Sequence, residues 1–268
     1  MRTLLLGTLA LLVVALPVAA ENTEDSGDPG PQGGVVVSTP VSDWTDRDIL
    51  CDNGPLFNGT YGGSPISILQ QGSLGLSTYG FNHSAGSSYR VADDFVVPVG
   101  QTWSIAAIVF YAYQTGSGAV STFTDYRVQI WDGPPSSPGS TVLWGDLVTN
   151  RLTSSVWSGG YRVLDTAQDG TTRPIMANTC TLTVPLSPGT YWLDWTCAGT
   201  LTSGPWCPPI TITGVAATGN GMQYTAAWAP ALDTGTTRAP QGLPFVIEGT
   251  IPTVIEQASW SAIKSLYR

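Results

Sequence analysis

From about residue 48 to residue 250 the chain alternates short apolar runs with clusters of Gly, Pro, Asp and Ser. Residues 126–131 alternate strictly, with Tyr126, Val128 and Ile130 on one side and Arg127, Gln129 and Trp131 on the other. That period of two belongs to a strand, whose successive side chains point to opposite faces. Asp132-Gly133-Pro134-Pro135 ends the run. Residues 104–113 are apolar and partly β-branched, and residues 182–186 and 191–195 flank Ser187-Pro188-Gly189 in the manner of a hairpin. Runs at 210–212, 221–227 and 243–249 complete the series. No helical period intervenes, which excludes a parallel α/β fold. The pattern predicts an all-β domain over residues 44–252, an antiparallel β-sandwich of jelly-roll-like type.

The two ends follow other patterns. Arg2, an apolar run over residues 4–18 and the small residues Val18-Ala19-Ala20 have the three parts of a secretory signal peptide, predicted over residues 1–20. The run is shorter than the roughly 20 residues a membrane-spanning helix needs. Residues 21–43 are polar and rich in Gly, Pro, Ser and Asp, as a disordered leader would be. At residues 253–268, Trp260, Ile263, Leu266 and Tyr267 recur at helical spacing. They predict a short amphipathic C-terminal helix, a tail that export or surface-docking machinery would read. The expected location is therefore secreted, extracellular or at the cell surface.

Export changes how the cysteines are read. An even number of cysteines (Cys51, Cys180, Cys197 and Cys207) in an exported chain favours disulfides over metal binding, since no Cys-x-x-Cys is present. If Pro188 and Gly189 form a hairpin loop, Leu186 faces Tyr191, Val184 faces Leu193, Leu182 faces Trp195 and Cys180 faces Cys197. Cys180–Cys197 then becomes a cross-strand disulfide candidate, leaving Cys51 with Cys207. A local Cys197–Cys207 loop is the rival pairing.

Charge narrows the partners. A formal net charge of −9 with a single lysine, Lys264, argues against nucleic acid, because phosphate binding needs clustered Lys and Arg. An unknown protein or a polysaccharide remains. His83 is the lone histidine; in the turn-like Asn82-His83-Ser84-Ala85-Gly86 it is expected to be an exposed loop residue rather than a catalytic base, and no Gly-x-Ser-x-Gly elbow is present. Adjacent Asp93 and Asp94 point to opposite strand faces and do not by themselves form a glycosidase pair. One is expected to accept backbone amides while the other is solvated. Asp93, Asp94 and Asp132 are the candidate ligands for a structural calcium; no other cofactor is expected. Ten tryptophans bring carbohydrate into view. Trp103, Trp192 and Trp195 sit in apolar runs and are expected in the core, whereas Trp144, Trp157, Trp206 and Trp228 lie near turns, where they either cover the sandwich ends or form a stacking platform for a ligand.

Several phrases occur together: Cys51-Asp-Asn-Gly-Pro55, Arg90-Val-Ala-Asp-Asp-Phe95 with Val97-Pro98, Val128-Gln-Ile-Trp-Asp-Gly133, Pro188-Gly-Thr-Tyr-Trp-Leu193, Ser203-Gly-Pro-Trp206 and Gln241-Gly-Leu-Pro-Phe245. Their order resembles a group of uncharacterised bacterial secreted proteins with a jelly-roll-like β-sandwich and a short sorting-like tail. The resemblance covers about residues 48 to 250 and implies surface display. The group has no agreed activity, so no catalytic residue carries over. The expected function is that of a non-catalytic secreted or surface-displayed interaction or structural protein. The alternative is a carbohydrate-binding module or glycoside-active enzyme using exposed tryptophans.

Overall fold

In a computed structural model, which describes residues 47–252, the alternation at residues 126–131 becomes a strand. Tyr126, Val128 and Ile130 are buried, and Arg127, Gln129 and Trp131 are half-buried on the opposite face. The signal peptide, the leader, the C-terminal tail and its Trp260, Ile263, Leu266 and Tyr267 lie outside the described residues.

The described chain is nearly all β. A seven-stranded sheet holds, in spatial order, β1 (Asp48–Asp52), β15 (Phe245–Thr250), β6 (Trp103–Ala112), β10 (Pro174–Leu186), β9 (Leu152–Leu164), β3 (Ser64–Leu69) and β2 (Gly59–Tyr61). A six-stranded sheet runs β14 (Trp228–Pro230), β13 (Met222–Tyr224), β5 (Arg90–Val97), β11 (Gly189–Gly199), β7 (Phe123–Trp131) and β8 (Val142–Gly145). A small ladder joins β4 (Phe81–Asn82) to β12 (Trp206–Cys207). A single helical turn, α1 (Gln71–Leu74), follows β3. The β3–β9 pair is parallel, and the other ladders between these strands are antiparallel.

One hydrophobic core draws on both large sheets. Ile105, Ile108, Phe110, Val184 and Phe245 from the first meet Phe95, Val128, Leu193 and Trp195 from the second. Phe110 and Trp195 stand with ring centroids 4.8 Å apart, and Phe245 meets both Phe95 and Trp195 edge-on. Each such ring, fully buried, contributes roughly 1.5–3 kcal/mol by leaving water.

The expected hairpin at Ser187–Gly189 is not one. β10 pairs with β6 and β9, whereas β11 pairs with β5 and β7. Both edges of each strand are occupied, so Ser187-Pro188 is a corner between sheets. Leu182, Val184 and Leu186 share the core with Leu193 and Trp195 without being their ladder partners. Alternation places an apolar set on one face of each strand, and facing strands satisfy it as well as neighbouring ones do. Of the remaining runs, 243–249 is largely β15, and 221–227 shrinks to β13 and its turn. Residues 210–212 form no strand, although Ile210 and Thr211 are buried.

Candidate functional site

The segment between α1 and β4 has no strand partners of its own and is held by two buried charges. Asp233 accepts from the backbone N–H of Ser77 (3.0 Å), Thr78 (2.8 Å) and Gly235 (2.7 Å). Arg162, on β9, donates to the carbonyls of Tyr79 (2.9 Å) and Thr78 (3.1 Å) and to the hydroxyls of Ser67 and Thr211. Burial pulls the Arg162 guanidinium down to about 10, and it has no carboxylate at ion-pair distance among the described residues. Donors to one side of the segment and acceptors to the other leave it little freedom, the preorganisation a binding wall needs.

Across from this segment, Trp206 is fixed by reciprocal backbone bonds to Tyr113, both 3.0 Å, and its indole N–H donates to Ser203 Oγ. Gly80 permits the close approach: a Cβ there would stand 2.9 Å from the Cys207 carbonyl and 3.1 Å from Trp206 Cβ. Between the two elements lies a hollow of about 360 Å³. Tyr79, Tyr113 and Trp206 line it with aromatic surface, and Ser77, Thr115, Ser203 and Thr234 add hydroxyls. Arg173 completes the lining, its guanidinium 3.9 Å from the Tyr79 ring centroid. No carboxylate among the described residues lines this hollow.

The four tryptophans expected near turns do not form one platform. Only Trp206 lines this hollow. Trp144 sits on β8 with Arg151 over its ring at 4.7 Å, and Trp157 on β9 donates to the Gly160 carbonyl; both pack against the main core. Trp228 on β14, at the far edge of the six-stranded sheet from Trp144, joins Tyr224 around Arg90. There Arg90 donates to Asp194 at 2.7 Å, and the Trp131 indole N–H approaches the same oxygen at 3.3 Å. Trp103 and Trp195 are core residues, whereas Trp192 is buried on the outer face with Ala92 and Met222.

Asp93 and Asp94 divide as strand alternation predicts. Asp93 is buried and accepts from the amides of Leu243 (2.7 Å) and Asp94 (2.9 Å) and from Asn53. Burial nevertheless raises its carboxyl to about 7. Asp94 is half-buried. Asp132 is engaged by Thr141, through its amide and its hydroxyl, and these bonds lower its pKa. The three aspartates are not gathered into a cluster of metal-binding residues among the described residues.

His83 overturns its expectation. It is fully buried, with Nε2 3.1 Å from Cys197 Sγ and Nδ1 3.3 Å from the Phe81 carbonyl. A carbonyl only accepts, so Nδ1 carries the proton and the Cys197 thiol donates to Nε2. Burial lowers the imidazole to about 4 and raises the thiol well above its ordinary value. The contact is thus a neutral hydrogen bond, not an activated thiolate. Neither expected disulfide pairing is formed: Cys51, Cys180, Cys197 and Cys207 are all free thiols. Cys180 and Cys197 share the core from different sheets rather than facing each other in one ladder.

Tyr79, Arg173, Arg162 and Asp233 escaped the sequence reading. They come from four separate stretches, and none lies in a motif. Compared with models of protein families, with curated proteins and with solved structures, the chain matches none.

Proposed function

We propose that this chain is an exported, non-catalytic binding protein built as a jelly-roll-like β-sandwich, and that the Trp206 hollow seats one unit of a saccharide. Export rests on residues 1–20, and the sandwich reading rests on the core shared by the two large sheets. The resemblance to secreted jelly-roll-like proteins points the same way. The observation that carries the ligand assignment is the lining of the hollow: indole and phenol surface beside hydroxyls, on a wall held by Arg162 and Asp233. Sugars have apolar C–H faces that pack on aromatic rings and hydroxyls that exchange hydrogen bonds with Ser and Thr. Hydrolysis would require two carboxyl groups flanking the sugar. Among the described residues the hollow offers none, so binding without bond cleavage is the reading proposed.

A glycan-array screen of the purified full-length chain, with calcium present and then chelated, tests this. Binding that is lost in Trp206→Ala and kept in Trp228→Ala supports the proposal. No bound glycan in the wild type removes the saccharide reading. Binding lost in Trp228→Ala instead moves the site to the outer face of the six-stranded sheet.

A further inference from the structure

Arg173 differs in kind from Arg90, Arg127, Arg151 and Arg162. Arg90, Arg127 and Arg151 each pair with an aspartate, and Arg162 donates to four oxygens. The Arg173 guanidinium has no ion pair or side-chain hydrogen bond among the described residues, yet it is half-buried, with its carbon over the Tyr79 ring at 3.9 Å from the centroid. Tyr79 is itself fixed through its carbonyl by Arg162. The stacking therefore orients an unpaired cation at a hollow of about 360 Å³.

Among the described residues nothing nearby neutralises it. Both oxygens of Asp233, which holds the same wall, accept from backbone N–H groups, and no carboxylate among the described residues lines the hollow. In a chain of net charge −9, a positive hollow is a local reversal that favours an incoming anion. A guanidinium presents its donors as a planar fork that matches the two oxygens of a carboxylate. A single guanidinium balances one negative charge, which suits a carboxylate better than a phosphate dianion.

We infer that the saccharide unit taken by the hollow carries a carboxylate, as a uronic acid does, with the acid on Arg173 and the sugar face against Trp206. This rests on the saccharide reading above and adds the charge of the ligand to it.

The test is isothermal titration of the full-length chain with oligomers of glucuronate, galacturonate and mannuronate, each against its methyl ester, at low and at 0.5 M salt. A charge-assisted hydrogen-bonded pair predicts at least one acid oligomer binding about tenfold or more tighter than its ester, with the advantage shrinking in salt. Arg173→Gln brings the acid down to the affinity of the ester, and Arg173→Lys, which keeps the charge but loses the fork, falls between. Circular dichroism of each variant checks that the fold persists. Esters that bind as tightly as acids overturn the inference and leave the saccharide reading standing. If no oligomer binds while the glycan array identifies a neutral glycan, the inference also falls alone. If neither experiment finds a bound sugar, both fall together.

Discussion

Asp233 holds the wall of the hollow through backbone amides, and replacing it tests that claim quantitatively. It is 2% exposed and accepts from three backbone N–H groups, those of Ser77, Thr78 and Gly235. None of the three belongs to a strand, so no ladder replaces the lost acceptor. In Asp233→Ala all three donors lose their partner. A hydrogen bond to a charged group is worth about 1.5–3 kcal/mol, and water reaches some of the freed amides. The expected loss of stability is about 3–5 kcal/mol. Arg162 adds to it, because Asp233 is one of the charges that favours its buried cation. Asp233→Asn keeps one acceptor oxygen and should lose roughly half as much. Equilibrium unfolding in urea gives both numbers, and amide hydrogen exchange gives the local consequence: Ser77, Thr78 and Gly235 exchange faster in Asp233→Asn while the β6 and β10 amides keep their protection. An Asp233→Ala variant within 1 kcal/mol of the wild type would refute the reasoning, since the three amides would then be satisfied some other way.

Two further expectations follow from buried titratable groups. Burial raises the Asp194 carboxyl from an ordinary 3.8 to about 7, against the opposing pull of Arg90 and of the Trp131 indole. The folded state then holds a proton that the unfolded chain has released, so the contribution of Asp194 is full below pH 3.8 and is lost as pH rises toward 7. Asp194→Asn removes that term: urea unfolding at pH 5 and pH 8 should show the variant gaining on the wild type at the higher pH, and an unchanged difference would count against it. Cys180, Cys197 and Cys207 are at most 1% exposed, and burial with Asp52, Asp94 and Asp93 pushes the half-buried Cys51 thiol up to about 11. Ellman's reagent should therefore react slowly with the native protein and titrate four thiols in denaturant; a count of two or none would mean that disulfides form after all.

The sequence by itself determined the chain's class and much of its local structure. Period-two alternation chose which residues of β7 face the core, and Gly, Pro and Asp clusters marked where strands stop, because both signals depend only on neighbours along the chain. The division of Asp93 from Asp94 followed from the same alternation. Tertiary structure alone decided which strands lie side by side. Leu186 and Tyr191 sit on apolar faces in either arrangement, and only the ladders with β6, β9, β5 and β7 put β10 and β11 in different sheets. The same ambiguity misdirected the Cys180–Cys197 pairing, since a shared apolar face does not specify a shared ladder. His83 looked like a loop residue because its turn-like neighbours say nothing of Cys197, more than a hundred positions away. The hollow was invisible for that reason too. Trp206 was conspicuous in its Gly-Pro-Trp setting, but Tyr79, Arg173, Arg162 and Asp233 carry no local pattern. They meet around one hollow only when the fold brings their segments together.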